Sequence, residues 1–124
     1  MIALKQKRIL VADDNPAILD ALTIMLEERG YEVETTIDGA SAQNMTGDLP
    51  NLVLLDVWMS GVDGRDLCKH LKNGAATKHI PVILVSATKH IEQIAKDFGA
   101  DDFIPKPFQM EHLLAIVAKY INKR

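Results

Sequence analysis

Hydrophobic and polar positions along the chain alternate between two kinds of block. "RILVA" (8–12), "NLVLLD" (51–56) and "IPVILVSA" (80–87) are short, continuously apolar runs rich in β-formers. That is the pattern of strands buried on both faces. "YEVETT" (31–36) alternates and reads as a strand nearer an edge, and "DDFIP" (101–105) reads as a short fifth strand. The blocks between them carry helical spacing. Asn15 offers an N-cap and Pro16 suits the first helical position, where its missing N–H costs nothing. The helix they open places Ile18, Leu22, Met25 and Leu26 on one stripe and ends at Gly30. "DGASAQNM" (38–45) is a weakly signalled short helix. "DGRDLCKHLKN" (63–73) predicts a helix with Leu67, Cys68 and Leu71 inward, and "TKHIEQIAKDFGA" (88–100) predicts another. A last amphipathic helix carries Leu113, Leu114, Val117 and Ile121.

Strands alternating with helices at this spacing predict right-handed βαβ units and a parallel sheet covered on both faces. Connections are short, with no repeat and no linker. The expectation is one doubly wound α/β domain over residues 1–124, a length sufficient to bury a proper core.

Composition narrows the class. With 48% hydrophobic and 25% charged residues the chain is ordinary for a globular protein. A formal net charge of -3 argues against a nucleic-acid-binding surface, which is usually strongly basic. Lys5, Lys7 and Arg8 read as solubilising charges rather than a DNA contact. The single cysteine, Cys68, cannot form an internal disulfide and is expected to pack as a small hydrophobe, which suits a reducing, cytoplasmic setting. No apolar run approaches membrane-spanning length, so no membrane partner is expected. His70, His79, His90 and His112 are scattered and suggest no metal site.

In open α/β sheets, ligands bind beyond the carboxyl ends of the strands. The first strand ends in Asp13 and Asp14, the third in Asp56 and the fourth in Ser86, while the fifth runs into Lys106. Asp13 and Asp14 alone could be solvated acids beside a helix N-terminus. Taken jointly, three carboxylates, a hydroxyl and an ammonium converge on one sheet edge. Three crowded carboxylates raise one another's pKa unless a cation neutralises them. An all-oxygen donor set suits Mg²⁺ (or Mn²⁺) rather than Zn²⁺. Mg²⁺ keeps open positions that invite a phosphoryl oxygen, and an Asp can then act as nucleophile to form an aspartyl phosphate.

The motifs "ADD" at the first strand, "LLDVWMSGVDG" around Asp56, "VSA" at the fourth strand and "FIPKPF" at the fifth resemble a receiver domain of two-component response regulators. Asp56 to Ser86 is 30 residues and Ser86 to Lys106 is 20, similar to that family's spacing. The resemblance implies a flavodoxin-like (βα)5 fold with strand order 2-1-3-4-5. It implies Asp56 as phosphoacceptor, Asp13 and Asp14 as the acid pair holding Mg²⁺, and the backbone carbonyl of Trp58 as a further ligand. Ser86 matches the hydroxyl that moves toward the phosphoryl group, and Lys106 the ammonium that pairs with it. The Lys106–Pro107 bond is expected to be cis. Phe103 matches the aromatic whose rotamer accompanies activation. Two positions depart from the family's pattern: Ser60 stands where proline is usual, and Phe103 lacks a tyrosine's hydroxyl.

The function so implied is a signalling switch that turns over no outside substrate. It would be phosphorylated by a sensor histidine kinase or histidine phosphotransfer protein and act on a downstream protein through its fourth helix, fifth strand and fifth helix. It would be a monomer or a phosphorylation-dependent dimer, either a stand-alone receiver or the receiver of a longer protein. A degenerate receiver acting without phosphorylation is the alternative. A phosphatase of the haloacid dehalogenase type needs a second Asp two residues after the nucleophile, where this chain has Trp58. A flavodoxin-like redox protein would set its flavin phosphate against the acid cluster. The Trp58 indole is a further candidate, as a shield of the acyl phosphate against water.

Overall fold

The computed structural model describes residues 6–39, 42 and 48–122. The elements run β1 (Arg8–Ala12), α1 (Pro16–Glu28), β2 (Glu32–Thr36), β3 (Leu52–Leu55), β4 (Trp58–Met59), β5 (Val62–Asp63), α2 (Gly64–Asn73), β6 (Val82–Ser86), α3 (Ile91–Phe98), β7 (Asp102–Pro105) and α4 (Met110–Ile121). Five strands form one parallel sheet in the order β2-β1-β3-β6-β7. This corresponds to the expected 2-1-3-4-5 once the two short strands β4 and β5 are set aside.

The apolar strands are buried on both faces because successive side chains point to opposite sides. Ile9 and Val11 of β1 join Leu54, Ile83, Val85 and Ile104 in a core under α1 and α4, with Leu22, Leu26, Leu113 and Val117. Leu10 and Ala12 face the other way, joining Val53, Leu55, Leu84, Leu67, Leu71, Ile91 and Ala95 under α2 and α3. Each fully buried Leu or Ile contributes about 1.5–3 kcal/mol relative to exposure. The central strands therefore hold the sheet rigidly enough to align their carboxyl ends.

The helix boundaries have local causes. Asn15 Oδ1 accepts from the Ala17 and Ile18 N–H groups at 3.0 and 3.4 Å, so α1 starts where the cap predicts. Its buried stripe is Leu19, Leu22, Met25 and Leu26; Ile18, expected inward, is half-buried at the rim. α2 buries Leu67, Cys68 and Leu71 as expected, and α4 buries Leu113, Leu114, Val117 and Ile121. α3 begins at Ile91 rather than Thr88, because His90 takes a left-handed conformation (φ 63°) that a helix cannot continue through. The short helix expected over residues 38–45 lies largely outside the described residues. The β4–β5 hairpin was not expected: a two-residue ladder carries no period that a sequence can display. No helix among the described residues is long and apolar enough to cross a membrane.

Candidate phosphoacceptor and metal site

The ends of β1 and β3 are held in register by the backbone. Asp56 N–H donates to the Ala12 carbonyl at 2.9 Å, and Asp13 N–H donates to Thr36 O at 3.0 Å. This places the first residue beyond each central strand at one level. Asp13 and Asp56 are buried, at 3% and 8% exposure, and Asp14 is exposed. One carboxylate oxygen from each of the three lies within 4.8 Å of the other two. Oxygens on opposite sides of Mg²⁺, each at about 2.1 Å, are about 4.2 Å apart, so these donors fit a hard divalent cation with small adjustment. Two or three carboxylates on one open side also leave the coordination positions that such an ion fills with water or phosphate oxygen.

Lys106 reaches in from the opposite edge strand. Its N–H donates to Ser86 O at 2.9 Å, continuing the β6–β7 ladder. Its ammonium then donates to Asp13 Oδ2 at 2.7 Å and to Asp56 Oδ2 at 3.4 Å. The Lys106–Pro107 bond is cis. The second Asp13 oxygen accepts from Asn15 N–H at 2.9 Å. Burial pushes the Asp56 carboxyl above its ordinary value. Lys106 opposes that rise, the Asp13 charge adds to it, and hydrogen bonds from the Ser86 hydroxyl and the Trp58 backbone N–H oppose it again. Ser86 is buried, its Oγ also accepting from Thr88 N–H at 3.3 Å.

The structure thus brings Asp13, Asp14, Asp56, Ser86 and Lys106 together at the sheet edge, with the Trp58 backbone N–H donating to Asp56. Phe103 lies beside them rather than among them. It is half-buried, paired in register with Leu84, and packed against the α2/α3 core. Strand alternation puts it on the same face as Ser86, two residues beyond Leu84.

Two residues that the sequence did not single out complete the surroundings. Gly64, the first residue of α2, donates its N–H to Val57 O at 2.7 Å. A methyl group there would overlap the Asp56 carbonyl oxygen and crowd the Val57 Cα. Only glycine lets α2 start this close to the acceptor strand. Arg65 pairs with Asp63 through Nη2 to Oδ2 at 2.7 Å, and its guanidinium lies 4.7 Å from the Trp58 ring centre. The "VDG" triplet is a signal for Gly64, since Asp-Gly marks a turn into a helix. Arg65 has no comparable signal, because its partners meet only through the hairpin.

The fold and this constellation have counterparts. The family model for the response regulator receiver domain matches residues 9–118. The DNA-binding dual master transcriptional regulator RpaA of Synechocystis sp. is 39% identical over 119 residues, covering 94% of this chain and 49% of RpaA. The response regulator PleD of Caulobacter vibrioides is 42% identical over 115 residues, 89% of this chain and 25% of PleD. The chain thus spans half or less of these curated relatives. The crystal structure of response regulator protein TrrA from Thermotoga maritima, in complex with Mg²⁺-BeF, superposes with a TM-score of 0.82 at 32% identity, covering 93% of this chain and 99% of that one. The residues that converge on the sheet edge are those by which the sequence resembled this family, and this chain belongs to the response regulator receiver domain family, whose members serve phosphorylation-dependent two-component signalling.

Proposed function

We propose that the domain is a switch that accepts a phosphoryl group on Asp56 from a phosphohistidine of a sensor kinase or histidine phosphotransfer protein. The observation that carries this reading is the buried Asp56 carboxylate, within reach of both a three-carboxylate cation site and the Lys106 ammonium. Asp13, Asp14, Asp56 and the Trp58 carbonyl would hold Mg²⁺ or Mn²⁺. When bound, the cation supplies charge neutralisation for the transferring group.

The remaining chemistry belongs to the chain. An Asp56 oxygen forms the new P–O bond as the P–N bond to the donor imidazole breaks. The electron pair returns to the ring nitrogen, which takes up a proton. Lys106, drawn from Asp13 toward the phosphoryl oxygens, balances their charge, and the Ser86 hydroxyl donates to one of them. Movement of Ser86 frees space on the face it shares with Phe103, whose ring turns inward and alters the surface of α3, β7 and α4. A downstream protein reads that surface, and only the domain's own Asp56 is turned over. We read the domain as a cytoplasmic protein-contact module without a nucleic-acid surface of its own, monomeric or dimerising on phosphorylation.

Ile18, Ala87, Lys106, Pro107 and Phe108 line an apolar groove beside the site, where side chains flanking the donor phosphohistidine would rest. Intact-protein mass after incubation with acetyl phosphate tests the reading. The expected result is a Mg²⁺-dependent gain of one phosphoryl group, absent in Asp56→Ala. No gain on folded protein would instead support a receiver that works without aspartyl phosphate.

A further inference from the structure

The segment that carries Trp58, whose carbonyl is read as a metal ligand, is fastened to the core by buried Met59 and half-buried Val62, and its Trp58–Asp63 pair lies at the other face. Trp58–Met59 and Val62–Asp63 form a ladder of two residue pairs, Trp58 opposite Asp63 and Met59 opposite Val62. An isolated ladder of that size is not stable by itself. Its loop is Ser60-Gly61, with Gly61 at φ 81°, and nothing lies within 4 Å of where a Gly61 side chain would begin. Residue 60, being serine, has no ring to fix its φ. The Trp58 side chain is half exposed, at 53%.

One side chain ties both strands of this hairpin to rigid structure. Arg65 sits on the first turn of α2, whose N-cap is Asp63. Its Nε and Nη2 form a fork onto the Asp63 carboxylate at 3.1, 3.2 and 2.7 Å. The same guanidinium lies 4.7 Å from the centre of the Trp58 indole and 5.8 Å from that of Phe98 at the end of α3. A planar cation over an aromatic face is attractive, and its fork geometry fixes its plane. Arg65 thus contacts the residue that starts β4, the residue that ends β5, and the helix behind them.

We propose that Arg65 is a positioning residue for the metal site: stacked on Trp58 and clamped by Asp63, it holds the hairpin so that the Trp58 carbonyl stays aimed at the carboxylates. This rests on the reading of Asp13, Asp14, Asp56 and Trp58 as the cation ligands. Charge alone predicts the opposite outcome for its removal. Deleting a cation near the site, and leaving Asp63 unneutralised, makes the surroundings more negative and should tighten Mg²⁺. Weaker binding would be the signature of lost positioning.

The experiment is a Mg²⁺ titration of the natural protein, Arg65→Ala and Arg65→Lys, read by calorimetry and by the emission of Trp58, the chain's single tryptophan. Thermal unfolding establishes that each protein is folded. The expected result is a Kd raised about tenfold in Arg65→Ala, the usual loss when a residue supporting a metal ligand is removed. Arg65→Lys, which keeps the charge but not the planar fork, should fall between, and decides the matter if Arg65→Ala does not fold. Amide exchange over residues 58–61 should quicken in both variants while β1 and β3 stay protected. Should the natural protein bind Mg²⁺ and both variants bind it as tightly or more tightly, the positioning role is overturned and the metal site stands. If the natural protein binds no Mg²⁺, both readings fall together.

Discussion

The ammonium of Lys106 lies closer to Asp13 than to Asp56, at 2.7 Å against 3.4 Å. Both carboxylates are buried, and this lysine forms an ion pair with each. It holds the site together by bridging them.

Lys106→Met should therefore destabilise the metal-free domain by about 2–4 kcal/mol, because two buried acids lose their counter-charge. Added Mg²⁺ should restore a large part of that loss, since it neutralises the same oxygens. Urea unfolding of both proteins, with chelator and with Mg²⁺, measures the difference. A loss equal in both conditions would show that the lysine acts through packing alone.

Gly64 abuts the backbone of Asp56 and Val57. Gly64→Ala should cost upward of about 2 kcal/mol, well above the few tenths of an exposed substitution, because the obstacle is backbone that cannot turn aside. Any folded fraction should also take up phosphoryl groups from acetyl phosphate more slowly, since relief of the overlap moves the Asp56 segment. Chemical denaturation and mass-detected phosphorylation read the two effects.

Trp58 stands two residues beyond Asp56, with its indole on Arg65. If the ring limits access of water to the acyl phosphate, Trp58→Ala should lose its phosphoryl group several-fold faster than the natural protein. Equal rates, measured by loss of phosphorylated mass after removal of the donor, would exclude that role.

Cys68 is fully buried in the α2/α3 core, and its thiol lies 3.6 Å from the Phe98 carbonyl. Burial pushes its pKa up to about 11 from 9.0; Lys72 lowers it and Asp101 raises it. The folded state holds this proton more tightly than the unfolded state does. Its contribution is thus fully present below the unfolded value and is lost as pH rises through the folded one. Between pH 9 and 11 the natural protein should lose about 2 kcal/mol more than Cys68→Ala, each unit of pKa being worth about 1.4 kcal/mol. The thiol should resist iodoacetamide at pH 8 until the protein is unfolded. Parallel unfolding of the two proteins across that range, with mass-detected alkylation, checks both statements.

The five strands of the parallel sheet, most of the helices and the polar residues at the strand ends were legible in the one-dimensional pattern. Burial of β1, β3 and β6 on both faces demands unbroken apolar runs, so those runs are visible as such. The acid pair after "RILVA", Asp56 after "NLVLL" and Ser86 after "PVILV" stand out because a polar residue closing an apolar run has no place in the core. Parallel strands with helical crossovers then require those closing residues to share one edge, and this made the site readable before any distance was known. Tertiary structure alone decided the remainder. That Lys106 prefers Asp13 depends on the reach of one flexible side chain across the sheet, which no spacing encodes. The start of α3 at Ile91 follows from one left-handed residue, His90, whose identity does not announce that conformation. The hairpin at 58–63, and the Arg65 clamp that depends on it, exist because Gly64 admits α2 against Asp56 and folds the intervening residues back on themselves. Periodicity records what repeats along a chain. Contacts made once, between residues brought together by a turn, leave no period to read.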